Sequence, residues 1–150
     1  MRKLVSAGTL CVGLLVLHGH ALAALGENAA SNPPEQQPAK VSQRVVDTPQ
    51  YAVDETQLDS GTRVREFVSA NGTVFAVAWQ GPFLPDLRQL LGRYFTAYTD
   101  AARNRSFGSG PLHIDSPELV VRSGGHMRAF SGRAYLPPEL PENFSIDAIQ

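Results

Sequence analysis

The chain has 150 residues, with 13 basic and 14 acidic side chains and a formal net charge of −1. Because charges of both signs are interspersed along the chain, this balance argues against a nucleic-acid partner and against a polybasic membrane patch. The length suits one hydrophobic core and gives no reason to expect two domains.

The first residues have the pattern of a secretion signal. Two basic residues precede an uncharged apolar run from Leu4 to Leu17, and Ala21-Leu22-Ala23 offers small side chains where a signal peptidase cuts. We therefore predict a signal peptide over residues 1–23, cleaved after Ala23. The apolar run is shorter than the ~20 residues needed to span a bilayer, so no stable membrane span is expected after cleavage.

The predicted cleavage changes the chemistry of what remains. The single cysteine, Cys11, would leave with the signal, so no disulfide, reactive thiolate or cysteine-bound metal is expected. Removal of Arg2 and Lys3 from the 13 basic residues leaves 11, and all of these except Lys40 are arginine. This excess fits either anion recognition or arginine-rich codon usage.

Residues 24–44 are predicted to form a flexible leader. The stretch from Gly26 to Lys40 is rich in alanine, asparagine, glutamine and proline and has no apolar period. It suits a tether, a partner-binding tail or an inert linker. A single domain is predicted over residues 45–150.

Three strands in a meander are predicted next. They span Tyr51–Leu58, Thr62–Ser69 and Thr73–Gln80, and are separated by the turn sequences Asp59-Ser60-Gly61 and Asn71-Gly72. Asparagine followed by glycine between two β-prone runs is a strong hairpin signal.

The turns also predict which residues face each other. A two-residue turn at Asn71-Gly72 places one core face on the sheet, made of Val64, Val68, Phe75, Val77 and Trp79. The opposite face is mixed, with Arg63, Arg65, Phe67, Val74, Ala76 and Ala78. A longer loop in the first hairpin puts Glu55 opposite Arg65, which avoids two facing glutamates. Glu66 falls on the apolar face, either as a buried functional carboxylate or as a strand-end residue that reaches solvent or an arginine.

An amphipathic helix is predicted after the meander. Its apolar residues recur at helical spacing, at Leu87, Leu90, Leu91, Tyr94, Phe95 and Tyr98. Pro85 suits the first helical position, and Asp86 suits the positive end of the helix dipole. This helix is expected to cover the face that carries Trp79, with Gly92 allowing a close approach to the sheet.

A second hairpin is predicted from strands at Glu118–Ser123 and His126–Tyr135, joined by Gly124-Gly125. Gly132 indicates a bulge or close packing, and the remaining residues are expected to pack through Leu140, Phe144 and Ile146. The predicted fold is therefore α+β: an antiparallel sheet of about five strands (a meander of three, a helix, a hairpin of two) with one main amphipathic helix on one face.

No catalytic motif is present in the sequence, which has no nucleophile elbow, phosphate loop, HExxH or dinucleotide fingerprint. We assign no catalytic, cofactor-binding or metal-binding residue. The alternative is a metal site or acid/base pair built from His113, Asp115, Glu118 and His126. Both histidines also stand beside turns, where an exposed histidine is ordinary.

A candidate interaction surface consists of Phe83 together with Phe67, Val74 and Ala76. The prolines around Phe83 make its loop stiff, and an exposed rigid aromatic side chain suits a partner contact. The other interpretation is a hydrophobic plug between strand and helix.

Three segments together resemble a known family. They are Ser60-Gly61-Thr62 with Arg65-Glu66-Phe67-Val68, the stretch Gly72–Gly92, and the stretch Gly124–Pro137. They resemble the bacterial exported family called domain of unknown function 2844, and the likeness includes the Ala-Leu-Gly that begins at Ala24. The resemblance implies a proteobacterial, periplasmic protein and carries no activity or catalytic residue.

Three functions follow as hypotheses. The first is a non-catalytic exported module, periplasmic or secreted, that binds a small ligand or an envelope protein. The second is a small hydrolase or metal-dependent enzyme that uses His113, Asp115 and His126. The third is a structural envelope protein that self-associates through the face with Phe67, Val74 and Ala76.

Overall fold

The computed structural model describes residues 23–29, 39–47, 50–104 and 110–150, with the backbone alone for 39–47. Within these ranges, no helix has both the length and the apolar character that crossing a membrane requires. The predicted signal peptide lies outside the described residues, apart from Ala23.

The described residues form one antiparallel sheet and one interrupted helix, so the predicted α+β class is confirmed. In this part of the chain the sheet has seven strands in the order β1-β2-β3-β4-β7-β6-β5, more than the five predicted. The strands are β1 (Ala39–Asp47), β2 (Tyr51–Leu58), β3 (Arg63–Ser69), β4 (Val74–Gly81), β5 (Leu112–Asp115), β6 (Val120–His126) and β7 (Ala129–Tyr135). The helical elements are α1 (Leu87–Leu91), a 3-10 turn (Gly92–Tyr94) and α2 (Phe95–Arg103).

Part of the predicted leader is ordered, which differs from our expectation for residues 24–44. β1 pairs with β2 as the edge of the sheet, and its register shifts at two points. Residues Ala23–Ala29 also pack on the domain: the Leu25 N–H donates to the Leu90 carbonyl at 3.0 Å, and the Gly26 N–H donates to Val74 at 2.8 Å. Backbone hydrogen bonds hold both segments, and side-chain periodicity does not report such bonds.

The first hairpin has the register that the charges predicted. A loop at 59–61 joins β2 to β3, with Gly61 at φ 84°, and Glu55 faces Arg65. The Glu55 carboxylate lies 2.7 Å from Arg65 Nε and 3.1 Å from Arg63 Nε. Avoiding like charges across the strands was therefore a sound criterion for choosing the loop length.

The β3–β4 hairpin contains a bulge that the sequence did not reveal. Val64 faces Trp79 and Glu66 faces Val77, as predicted, but Val68 faces Val74 instead of Phe75 because the register shifts between Phe67 and Val68. The extra residue moves Phe75 to the opposite side of the sheet and Val74 to the Trp79 side. The predicted face assignments of Val74 and Phe75 are therefore both wrong.

The β6–β7 hairpin, predicted to turn at Gly124-Gly125, turns three residues later. Gly124 and Gly125 lie inside the β6–β7 ladder, opposite Ser131 and Phe130, and the chain turns at Met127-Arg128. Gly125 is required by close approach: a Cβ there would lie 2.5 Å from the Ala129 carbonyl oxygen. The turn instead uses Arg128 at φ 67°, a conformation that non-glycine residues adopt at some steric cost.

The helix begins two residues later than predicted and is broken in the middle. Asp86 is the N-cap, and its carboxylate accepts from the Arg88 and Gln89 N–H groups at 2.9 and 3.1 Å. Gly92 adopts φ 51°, and a Cβ there would lie 2.8 Å from the Ala24 Cβ. Gly92 therefore makes room for the N-terminal segment. We had predicted that it would instead allow the helix to approach the sheet closely.

One side of the sheet, the helix face, is covered by the helix and by residues Ala23–Leu25, so the predicted packing of the helix over Trp79 is confirmed. Its fully buried core consists of Leu25, Val64, Val74, Val77, Leu90, Leu91, Val121, Ala134 and Leu136. Trp79 packs so closely on Gly132 that a Cβ there would lie 2.2 Å from Trp79 Cζ2. The close packing predicted at Gly132 is thereby confirmed.

The other side of the sheet, the tail face, is covered in part by residues 137–150. Phe144 lies edge-on to Phe75 and Tyr51, with ring centroids 5.0 and 5.1 Å away. Leu140 packs on the same cluster, as predicted, whereas Ile146 is exposed and Ile149 is buried in its place. The sheet therefore separates two cores.

Candidate functional site

A row of three arginines and one histidine crosses the tail face of the sheet. The strand register aligns it: Arg65 faces Ala78, Ala78 faces Arg133, Arg133 faces Arg122, and Arg122 faces His113. Residues opposite one another in this way share a face of the sheet. We call Arg65, Arg133, Arg122 and His113 the arginine row.

A cleft of about 590 Å³ lies at the β5–β6–β7 end of the arginine row. Arg122, Arg133 and His113 line it, and Gly124 and Ser131 form the adjoining part of the wall. Since glycine has no side chain and serine a small one, the sheet is left open at these positions beside the arginines. The remaining lining residues are Trp79, Gln80, Pro111, Ser123, Gly125, Gly132, Ile149 and Gln150.

Ile149 and Gln150 line one side of the cleft, and two arginines of the row hold the segment 146–150 in place. Arg133 Nη1 donates to the carbonyl oxygens of Ile146 and Ile149 at 3.3 and 3.2 Å. Arg65 Nη1 donates to the main-chain oxygen of Gln150 at 2.8 Å. Carbonyl oxygens accept hydrogen bonds without neutralising a guanidinium, so Arg133 keeps its full positive charge beside the cleft.

The charges of the row are only partly compensated. Glu55 pairs with Arg65 and also with neighbouring Arg63, so its single negative charge is shared between two arginines. Among the described residues that line the cleft there is no aspartate or glutamate, and no such side chain pairs with Arg122 or Arg133. Asp115 shares the tail face with His113, two residues further along β5 and opposite Val120.

Two arginines directly opposite each other on one sheet face are unfavourable. Like charges in cross-strand pairs cost roughly 0.2–1 kcal/mol, and Arg122 and Arg133 form such a pair. Arginine presents its N–H groups in a planar fork that matches carboxylate and phosphate groups. This part of the sheet is therefore suited to bind an anion that relieves the repulsion.

The predicted interaction surface is not one surface in the structure. Phe67, Val74 and Ala76 are all buried: Phe67 and Ala76 lie under residues 137–150, and Val74 belongs to the helix-face core. These three residues therefore do not form an exposed surface together with Phe83. Phe83 is 54% exposed next to Leu84, and its role as a partner contact stays a prediction.

The structure does not assemble the predicted histidine site. His113 and Asp115 share a face of β5, but His126 lies at the far end of β6, four residues beyond the partner of His113. At ~3.3 Å per residue, this separates the two histidines by about 13 Å along the sheet. In the ranges that the structure describes, no group of three or more histidine, cysteine, aspartate and glutamate residues could hold a metal ion.

Glu66 is buried on the helix face, so its carboxylate does not reach solvent. It is 5% exposed, and its Oε1 has no hydrogen-bond partner. Burial raises the pKa of Glu66 to about 8; a hydrogen bond from the Ala23 backbone acts in the opposite direction, and nearby Asp54 raises the pKa further. The interpretation as a strand-end residue that reaches solvent or an arginine is therefore wrong.

Sequence reasoning missed the pairing of Arg122 with Arg133. The predicted turn at Gly124-Gly125 would have placed Met127 opposite Arg122, and so kept the two arginines apart. The one signal in the sequence was the excess of arginine over lysine, which codon usage explained equally well. The turn at Met127-Arg128 places Arg122 opposite Arg133, so two of the chain's arginines meet at one position on the sheet.

Comparison with known proteins gives one match. Residues 21–149 match the model of a family described as "Protein of unknown function (DUF2844)". No curated protein matches, and no solved structure matches. The family match agrees with the resemblance seen in the sequence and covers nearly all of the described residues.

Proposed function

We propose that this chain, which belongs to the DUF2844 family, is a non-catalytic exported binding module, periplasmic or secreted, that takes a small anionic ligand in the cleft. The observation that carries the proposal is the direct opposition of Arg122 and Arg133 on the tail face, beside a cleft that no aspartate or glutamate of the described residues lines. The ligand class is a carboxylate or a phosphate ester.

The shape of the cleft supports binding more than catalysis. It is open, and its lining offers donors (the two guanidinium groups, the Ser131 hydroxyl and the Gln80 amide) around a space large enough for a small molecule. A catalytic site would need an assembled nucleophile or an acid/base pair within hydrogen-bond reach. His113 is the one titratable side chain in the lining apart from the arginines.

The proposal predicts measurable anion binding that depends on both arginines. We expect isothermal titration with citrate and with inorganic phosphate to show saturable binding of at least one of them at low ionic strength. Arg122→Gln and Arg133→Gln should each weaken that binding by tenfold or more, because each removes a charged hydrogen-bond donor.

Arg103→Gln is the matched control, since Arg103 is exposed on α2 and pairs at 3.6 Å with Asp100, away from the cleft lining. It should leave the affinity unchanged. Equal affinity losses in all three variants would reveal nonspecific charge attraction and contradict the proposal. No saturable binding of either anion by the unaltered protein would contradict it as well.

A further inference from the structure

The chain around the predicted cleavage point is buried in the helix-face core. Ala23 is 1% exposed and Leu25 is fully buried. Ala24 packs against Gly92, where a Cβ would lie 2.8 Å from the Ala24 Cβ. Hydrogen bonds from the N–H groups of Leu25 and Gly26 fix the segment to α1 and to β4.

The buried carboxylate of Glu66 faces this segment. A hydrogen bond joins the Ala23 backbone to the Glu66 carboxylate, and the other carboxylate oxygen, Oε1, is buried without a partner. A buried ionised carboxylate without a cation is strongly unfavourable. Because Ala23 is bonded directly to the Ala24 nitrogen, its hydrogen bond to Glu66 places the carboxylate near the point where cleavage after Ala23 would create a positive charge.

We propose that removal of residues 1–23 completes the fold, because the new α-ammonium group of Ala24 becomes the buried ion-pair partner of Glu66. The inference is independent of the anion cleft, which lies on the other face of the sheet. It assigns a structural role to the processed N-terminus and explains why a glutamate occupies the apolar face.

The chemical step is hydrolysis of the Ala23–Ala24 peptide bond by a signal peptidase. One water is consumed, the carbon–nitrogen bond breaks, the carboxylate remains on Ala23, and the amine of Ala24 takes up a proton. Departure of Ala23 also removes the backbone donor to Glu66 and vacates the space that this residue fills in the core. The ammonium group, which carries three donors, replaces the lost one.

Other charged groups around Glu66 do not supply the missing cation in the described structure. Asp54 faces Glu66 from β2 and adds negative charge. On the helical side, Arg93 lies against Gly26 and donates to the Tyr94 hydroxyl at 3.0 Å, while Glu27 lies near Gly92. The β4 residue opposite Glu66 is Val77, which is uncharged.

The pH dependence of stability distinguishes the two states. In the chain that retains Ala23, the folded-state pKa of Glu66 is raised to about 8 from its usual 4.5, so stability falls as the pH rises from about 4.5 to about 8. In the processed chain the ammonium stabilises the ionised carboxylate and removes this fall. The pair loses its benefit only as the ammonium deprotonates above its unfolded value of about 8.

The experiment compares two proteins between pH 5 and pH 7.5. One is the chain secreted by a Gram-negative host, with its N-terminus established by mass spectrometry. The other retains Ala23 behind an added Gly-Ser. We expect the melting temperature of the extended chain to fall with pH by at least ~5 °C more than that of the processed chain. Glu66→Gln in both should abolish the difference, because the neutral amide has no charge to bury.

Acetylation of the Ala24 amine in the processed chain provides a second comparison that does not require the extended chain to fold. Acetylation should restore the pH dependence, and the carbon-13 shift of the Glu66 carboxyl group should then titrate at a higher pH than in the unmodified processed chain. Identical pH profiles for the processed, acetylated and extended chains would overturn the proposal. A secreted chain that begins beyond Leu25 would overturn it too.

Discussion

Gly132 shows how the absence of a side chain can determine the packing of a core. The indole of Trp79 occupies the place where any larger residue would carry its Cβ, and the Arg122 carbonyl oxygen lies 2.9 Å from that place. The neighbouring β6 strand therefore closes the remaining space. Since Trp79 is the single tryptophan of the chain, its fluorescence reports on this contact.

Replacement of Gly132 by alanine should destabilise the protein. The added Cβ would lie 2.2 Å from Trp79 Cζ2 and 2.5 Å from Trp79 Cε2, so the ring or the strand must move, at a cost of about 1–3 kcal/mol. Urea unfolding followed by Trp79 fluorescence measures this loss. Gly110→Ala is the control: a Cβ there meets nothing within 4 Å, and its effect should stay within about 0.5 kcal/mol. Equal stability of the two variants would contradict the assigned contact.

At the scale of elements, the sequence correctly predicted those features that apolar periodicity and charge pairing determine. The helix, the β2–β3–β4 meander and the Glu55–Arg65 pairing followed from apolar spacing and from like-charge avoidance. The candidate site did not, because its register depends on the position of the turn at Met127-Arg128. Gly124-Gly125 is locally a better turn sequence, but close backbone packing in the ladder requires these glycines, and a single chain does not reveal that requirement.

The edge strands were also beyond sequence reasoning. β1 has no consistent alternation, and its pairing with β2 is made by backbone groups with two register shifts. β5 has four residues, which is too short for a clear periodic pattern. The β3–β4 bulge likewise changes the face of Phe75 without any local proline or unusual residue to announce it.

The C-terminal segment acts as an element of the second core, and its aromatic anchor can be tested. Phe144 contacts Phe75, Tyr51 and Phe67, with ring centroids 5.0, 5.1 and 6.0 Å away. Phe144→Ala should lower the free energy of unfolding by about 2 kcal/mol, below the full value for a buried phenylalanine because Phe144 is partly exposed. Chemical denaturation measures the change.

Phe83→Ala serves as the matched control for this prediction. The Phe83 side chain is exposed, while its backbone is fixed by Thr62, whose hydroxyl donates to the Phe83 carbonyl at 2.6 Å. Its loss should change stability by no more than about 0.5 kcal/mol. Sedimentation of the Phe144 variant also tests self-association, since loosening the segment would expose Phe67 and Ala76. A Phe144 variant as stable as the Phe83 variant would mean that the segment does not anchor the tail face.

At the scale of the whole molecule, one sheet carries different chemistry on its two sides. The helix face buries Glu66 in an apolar core, and the tail face combines the aromatic cluster around Phe144 with the arginine row. β4 lies at the centre, between β3 and β7, and contributes to both cores. Local stability should therefore decrease from β4 toward the edges.

Amide hydrogen exchange should follow that gradient. We expect the slowest exchange at Ala76–Trp79, where strands pair on both sides, and faster exchange in β5, which pairs with β6 alone in the described sheet. Exchange measured by NMR at neutral pH and 25 °C gives the order of the strands. Protection of β5 equal to that of β4 would show that the sheet opens only as a whole.

The β6–β7 turn has a practical consequence for labelling this protein. Met127 is 88% exposed at the tip of a turn, whereas Leu25 and Ile149, near the two extremities of the described chain, are buried in the opposite cores. A fluorophore or short epitope introduced at Met127 would therefore leave both cores intact, while the same modification beside Leu25 or Ile149 would compete with their packing.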